Sequence, residues 1–148
     1  MKTMDIAGIG AITVAGLDLK ENWETLLRGE SRIRPIRGIS TEGLQTGNAG
    51  QIYLDDDELR ALVAKRVGVL KSDRRLPAER AELLLLLAFE EARADAGISR
   101  EELSGKRVGI LVGTSLAGFT RLEGEYQEHR KASRPIKPSA YLTYPLHV

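Results

Sequence analysis

The sequence predicts an α/β fold, in which strands and helices alternate along a single domain. Residues 107–112 are almost entirely apolar, which is typical of a strand buried in a parallel sheet. Residues 83–89 are apolar on every side of a helix, so we expect that helix to be covered on both flanks and to lie between two layers. The 148 residues are 42% hydrophobic and 29% charged, as in ordinary globular domains.

The first predicted elements are a strand and a helix. Met4–Ile9 is mostly apolar and predicts a short buried strand, with Gly8 and Gly10 at its end favouring a tight turn. Asp18 is a suitable N-cap for a helix from about Leu19 to Arg28. The residues from 30 to 50 are rich in Gly, Ser, Arg and Thr, which indicates an irregular surface excursion.

Two further helices are predicted in the middle of the chain. A short strand over Gln51–Leu54 closes the surface excursion, and Asp55 then caps a helix that runs to about Ala64. The next helix lies between Pro77, which suits a first helical turn, and Gly97, which suits a C-terminal cap. This helix contains the apolar run and also four alanines, which keep it slim enough for close approach by a neighbour: Ala88, Ala92, Ala94 and Ala96.

The last predicted elements follow a short capped turn. Ser99 and Glu102 form the S-x-x-E pattern of a capping box. Arg107–Val112 is the second strand, and Ala117 to about Lys131 is the final helix. The resulting order of strand, helix, helix, strand and helix is typical of α/β domains.

Composition excludes several classes of function. The net charge of +1 gives no electrostatic basis for binding nucleic acid or an anionic membrane. No apolar run is long enough to span a bilayer, and the first residues lack the apolar core of a secretory leader, so we expect a cytoplasmic protein. The 148 residues contain no cysteine, which rules out disulfides, cysteine metal sites and cysteine nucleophiles within them.

The recognisable site motifs are incomplete. Gly8 and Gly10 begin like a dinucleotide-binding fingerprint, but Thr13 stands at the third glycine and no helix opens there. His129 and His147 are far apart and have no acidic or cysteine partner at metal-ligand spacing. We therefore expect no metal ion, no nucleotide cofactor and no catalytic residue on this chain.

Several segments together resemble the amino-terminal half of β-ketoacyl-acyl-carrier-protein synthases, which have the thiolase fold. The resemblance is carried by residues 6–13 (IAGIGAIT), Gly16, residues 22–31 (NWETLLRGES), residues 92–97 (ARADAG) and residues 107–115 (RVGILVGTS). Their order and spacing match the family over almost the whole chain. The resemblance implies a partial thiolase-like α/β fold with α-β-α-β-α layers, which is incomplete without a partner or a second half.

The same resemblance bears on catalysis. The family's nucleophilic cysteine lies on a strand beyond the matched region, and its catalytic histidines lie further on, so none of them is transferred to this chain. We therefore expect residues 1–148 to form one amino-terminal ketosynthase-like domain, truncated before the nucleophile strand. Such a domain would not be catalytic alone, but would be part of a β-ketoacyl synthase (acyltransferase) complex.

Within the family, the chain is most similar to chain-length factors, which are non-catalytic homologues that pair with a ketosynthase. Residues 75–77 (RLP) and 138–141 (PSAY) carry this similarity. It implies a ketosynthase subunit and an acyl carrier protein as partners, with acyl chains delivered on phosphopantetheine. Two alternatives stay open, namely the amino-terminal part of a catalytic synthase and an interaction protein without acyl chemistry.

The final predicted helix carries the candidate site. Phe119, Leu122 and Tyr126 are spaced three and four residues apart, which places them on one helical face. By resemblance, this face and Thr143 would line an acyl tunnel or a subunit interface. An ordinary core stripe has the same spacing, and this alternative also stays open.

Overall fold

The computed structural model describes residues 3–68, 79–114, 119–132 and 135. The helices in these ranges are α1 Leu19–Leu27, α2 Asp56–Arg66, α3 Arg80–Asp95, α4 Arg100–Ser104 and α5 Phe119–Ala132. The strands in these ranges are β1 Arg34–Pro35 and β2 Asn48–Ala49, which pair antiparallel. The described chain is therefore a mixed α/β structure in which helices predominate.

The core lies between α2 and α3. Each helix contributes two fully buried apolar side chains four residues apart, so that both sit on one face: Leu59 and Val63 from α2, Leu83 and Leu87 from α3. Ile12 and Leu54 pack against this cluster from the preceding segments. Burying side chains of this size stabilises the fold by about 1.5–3 kcal/mol each relative to exposure.

The helix boundaries follow the cap residues that the sequence predicted. The Asp18 carboxylate accepts the N–H of Glu21 at 2.8 Å, and α1 begins directly after it. Asp55 and Glu58 form a reciprocal capping box at the start of α2, and Ser99 with Glu102 does the same for α4. Gly97 follows α3 with a φ of 66°, a left-handed conformation that favours glycine.

The segment preceding α1 lies directly on α3. A side chain at Gly8 would come within 2.1 Å of the Ala92 carbonyl oxygen, and one at Gly10 within 2.0 Å of the Ala88 carbonyl oxygen. These two glycines therefore serve close contact with a helix. The turn follows later, between Thr13 and Gly16, and does not lie at the glycines as predicted.

Two carboxylates of α3 hold this segment by its backbone. Asp95 Oδ2 accepts the N–H of Ile9 at 2.9 Å, and Glu91 Oε2 accepts the N–H of Ala11 at 2.8 Å. The other oxygen of Glu91 accepts the N–H of Leu19, the first residue of α1, at 2.6 Å. Met4–Ile9 is not the buried strand that was predicted: it forms no strand, Met4 and Ile6 are 96% and 86% exposed, and the N–H of Ile9 bonds to a helical side chain.

The strand predicted over Gln51–Leu54 is also not formed, because a side chain of α3 takes two of its carbonyl groups. The guanidinium of Arg80 donates to the carbonyl oxygen of Ile52 at 2.7 Å and to that of Leu54 at 2.8 Å. These are alternate residues, and their carbonyls would face one neighbouring strand in a sheet. The strand that pairs with β1 is β2 instead, a few residues earlier in the chain.

The all-round burial predicted for the apolar helix is wrong in the described structure. Leu83 and Leu87 are buried against α2, but Leu85 and Phe89 are 45% and 46% exposed. Each exposed residue stands two positions after a buried one, which is about 200° around the helix. Periodicity indicated which side chains can be buried, but it could not supply the second layer that would cover them.

The strand predicted over Arg107–Val112 is also absent. These residues form no strand, and Ile110 is 78% exposed. No other described segment pairs with them, so nothing covers their apolar side chains. Pro77 and the predicted helix start at Ala117 lie outside the described residues.

We predict that Gly10→Ala destabilises the chain by roughly 1–3 kcal/mol, the usual cost of overpacking. The added methyl group would overlap the Ala88 carbonyl oxygen and push the segment off α3. Urea unfolding followed by circular dichroism would measure the loss. Gly109→Ala is the matched control, because a methyl group there meets no atom within 4 Å. Equal stability of the two variants would contradict the packing of Gly10 against α3.

Candidate functional site

The predicted site helix is present as α5, Phe119–Ala132. Leu122 is half-buried and Tyr126 is 51% exposed. Among the described elements, α5 packs against none of the others. The side chain of Phe119 and all of Thr143 lie outside what the structure describes, so the assignment of these four residues to one wall stays a prediction.

Open apolar surface is the main functional feature of the described chain. One part is the outer side of α3 with Leu85 and Phe89, and a second is the segment 107–112. A third is the outer face of α1, where Trp23, Leu26 and Leu27 are largely exposed. Exposed apolar patches on a protein typically mark contact with another polypeptide or with a ligand.

One apolar cleft lies beside the contact between α1 and α3. It has a volume of about 480 Å³ and is lined by Ile9, Leu19, Trp23 and Ala94 together with the carboxylates that hold the amino-terminal segment. The cleft is wide and open to solvent. Its shape suits a contact surface better than an enclosed site for a small molecule.

The start of α1 is fixed by a buried amide. Asn22 is 7% exposed, and its amide nitrogen donates to the carbonyl oxygens of Gly16 at 2.9 Å and Asp18 at 2.7 Å. Thr25 is also buried and donates to the carbonyl oxygen of Ala15 at 2.9 Å. These two polar side chains are therefore structural, since each has its hydrogen bonds within the fold.

The far end of α3 carries a network of ion pairs. Glu90 Oε1 lies 2.7 Å from Arg93 and 3.0 Å from Arg100, which joins α3 to α4. The hydrogen bond from Arg93 holds the pKa of Glu90 below its ordinary value of 4.5, against the opposing effect of burial, and Arg100 lowers it further. Arg93 also donates to the carbonyl oxygen of Ile98 in the turn between the helices. This network is structural because every charge in it has a partner.

No group of three potential metal ligands occurs within residues 3–68, 79–114 and 119–132. In the same ranges, no helix is long and apolar enough to cross a membrane. His129 lies in the last turn of α5, next to Arg130 and Lys131. His147 lies outside the described residues.

Sequence reasoning missed the polar side chains of α3 that organise its surroundings. Arg80, Glu91 and Asp95 look like solvated charges in the sequence, yet each binds the backbone of a distant segment. Their spacing was the available signal. Positions 80, 91 and 95 fall within about 60° of one another around a helix, next to the buried leucines.

Comparison with known proteins identifies a matching family. The family model described as "Beta-ketoacyl synthase, N-terminal domain" matches residues 1–145. The fold class predicted from the sequence is thereby confirmed as a partial, thiolase-like α/β fold, although the described residues contain only the small β1–β2 sheet. No solved structure matches the chain significantly.

Three relatives illustrate the range of similar proteins. "Granaticin polyketide putative beta-ketoacyl synthase 1" of Streptomyces violaceoruber is 30% identical, over 82% of this chain and 27% of its own length. "Nodulation protein E" of Rhizobium sp. (strain N33) is 32% identical, over 82% of this chain and 28% of its own. The 3-oxoacyl-(acyl-carrier-protein) synthase 2 of Staphylococcus aureus (strain COL) is 26% identical, over 93% and 31%. The chain thus spans less than a third of the relatives it matches.

We predict that Glu90 stabilises the fold at neutral pH and that this contribution is lost at acidic pH. A carboxylate whose pKa is lowered by folding stabilises the fold above its ordinary value of 4.5, and this contribution is lost as the pH falls through the lowered pKa. The stability difference between wild type and Glu90→Gln should therefore shrink on acidification. Urea unfolding at a series of pH values would measure it.

Glu128→Gln, at an exposed position of α5 outside this network, is the control for general effects of charge. A stability difference for Glu90→Gln that stays constant from neutral pH to well below 4.5 would contradict the assignment.

Proposed function

The chain belongs to the β-ketoacyl synthase family, and from this we propose that it serves as a non-catalytic, chain-length-factor-like subunit that pairs with a ketosynthase. The open apolar surface carries the proposal. Leu85 and Phe89 on α3 and the segment 107–112 are exposed, although side chains of this type are normally buried. A second polypeptide that covered them would complete the fold and place this chain within a complex.

The 148 residues take no direct part in the reaction under this proposal. Condensation requires a nucleophile that holds the acyl group and polar groups that stabilise the developing charge. The sequence contains no cysteine, and neither of its two histidines stands in a motif that resembles the family's catalytic ones. In this proposal, the partner ketosynthase supplies the reacting groups.

The role of this chain is then to shape the space available to the product. Acyl chains would arrive on the phosphopantetheine arm of an acyl carrier protein and grow into a tunnel along the subunit interface. Phe119, Leu122 and Tyr126 on α5, together with Thr143, would form part of its wall. Bulky side chains there would set the length at which growth stops.

A second candidate is the amino-terminal part of a catalytic synthase. The names of the matched relatives favour it, since two of the three are described as synthases, and so does the small share of their length that this chain covers. The reading frame beyond codon 148 discriminates between the two proposals. Continuation into a strand with a cysteine nucleophile favours the catalytic synthase, whereas continuation without one favours the chain-length factor.

We predict that the 148-residue chain alone forms no carbon–carbon bond from malonyl-carrier protein. Adding a catalytic ketosynthase of the same biosynthetic system should produce elongation, and the two proteins should elute together. Product analysis by mass spectrometry and size-exclusion chromatography would measure both effects. Condensation by the pure chain at a rate comparable with a ketosynthase would refute the non-catalytic role.

We further predict that Phe119→Ala lengthens the product made by the complex while leaving turnover similar. Removing the ring opens volume in the proposed tunnel without touching a reacting group. Glu128→Ala is the matched control, because it lies nine residues on and therefore about half a turn away around α5. Chromatography with mass spectrometry would compare chain lengths. An unchanged product length with a less stable complex would mean that Phe119, Leu122 and Tyr126 form an ordinary core face.

A further inference from the structure

A small polar cavity lies beside the β1–β2 hairpin, away from the open apolar surface. Its volume is about 100 Å³. Two apolar residues form part of the wall, and the rest is polar: Glu21, Arg32, Arg34, Gln51 and Tyr53. Arg37 is not part of the wall, but its guanidinium lies 4.1 Å from the centre of the ring of Tyr53, which is.

Tyr53 orients two guanidinium groups at once. The guanidinium of Arg34 lies 5.6 Å from the centre of the Tyr53 ring, and that of Arg37 lies 4.1 Å from it. The ring itself is fixed, because its hydroxyl donates to the carbonyl oxygen of Pro35 in β1. Contacts between a guanidinium and an aromatic face hold the cation while leaving its N–H donors available.

The backbone at Arg37 is held as well. The side-chain amide of Gln51 accepts the N–H of Arg37 at 2.8 Å and donates to its carbonyl oxygen at 3.0 Å. This pair of hydrogen bonds connects the two arms of the hairpin. The two arginines are thus positioned before any ligand arrives, which lowers the entropic cost of binding.

The positive charges here are incompletely neutralised. In the part of the chain that the structure describes, no carboxylate lies within ion-pair distance of Arg34 or Arg37. Arg32 pairs with Glu30 through Nη2 at 2.8 Å, but its buried Nε has no hydrogen-bond acceptor. Glu21, the acidic residue in the wall, already accepts the N–H of Leu17 at 2.8 Å through Oε2.

We propose that this cavity is a binding site for a phosphate group, held by the guanidinium of Arg34 in its wall and by that of Arg37 beside the Tyr53 ring. Two guanidinium groups beside one ring repel each other, and an anion in the adjoining cavity reduces this repulsion. A phosphate carries up to two negative charges and has more acceptor oxygens than a carboxylate, so it offers acceptors to more than one guanidinium. The buried Nε of Arg32 marks a missing acceptor at the same place. The proposal is independent of chain elongation.

Isothermal titration of the full chain with inorganic phosphate, at constant ionic strength set by chloride, tests the site. Saturable binding of one phosphate per chain is expected. Arg34→Gln and Arg37→Gln should each weaken it about tenfold or more, the usual effect of losing a charged hydrogen bond. Arg107→Gln, at an exposed position outside the cavity, is the matched control and should bind like wild type. Circular dichroism would verify that each variant is folded.

Further titrations separate the effect of the planar guanidinium group from that of its charge. Arg34→Lys with Arg37→Lys keeps the charge but removes the planar forks, so weaker binding is expected. Glycerol phosphate, titrated in addition to inorganic phosphate, tests whether the group can belong to a larger molecule, and competition between the two for one site supports it. Absence of saturable phosphate binding by the folded wild type would overturn the proposal. So would equal weakening by Arg107→Gln, or tighter binding of acetate than of phosphate.

Discussion

The organisation of the described chain depends on backbone groups held by the side chains of one helix. Glu91 accepts N–H groups from both the amino-terminal segment and the start of α1, and Asp95 accepts another from the same segment. At the opposite end of α3, Arg80 donates to two carbonyl groups of the segment before α2. Without these contacts, the extended segments would carry unsatisfied polar groups against an apolar helix, which is costly.

The two sides of α3 differ in how well they are packed. On one side, Leu83 and Leu87 meet α2 and form the core, while Gly8 and Gly10 let the backbone lie against the alanines of α3. On the other side, Leu85 and Phe89 are 45% and 46% exposed. The chain, a member of the β-ketoacyl synthase family, matches less than a third of the length of each of the three relatives.

Local features of the fold could be predicted from the sequence, whereas pairings between distant segments could not. The caps at Asp18 and Asp55 fixed the starts of α1 and α2, because capping depends on residues within one turn. The strand predicted over Arg107–Val112 is not formed, because a strand exists only when a partner lies beside it. For Glu91 and Arg80 the sequence offered only their spacing around the helix, because their roles depend on which distant segments pack across it. For the site, the spacing of Phe119, Leu122 and Tyr126 predicted one face of α5, because helical periodicity is local, whereas the partners of that face depend on pairings between distant segments.

The contact between the amino-terminal segment and α3 has a built-in limit on its length. The segment runs opposite to the helix, so that moving from Ile9 to Ala11 corresponds to moving from Asp95 back to Glu91. Two residues of extended chain advance about 6.6 Å, whereas four residues of helix advance about 6 Å. The two repeats therefore drift apart by roughly half an ångström at every step. A helix can replace a neighbouring strand in this way only over a few residues, after which the mismatch would carry the donors out of reach of their carboxylates.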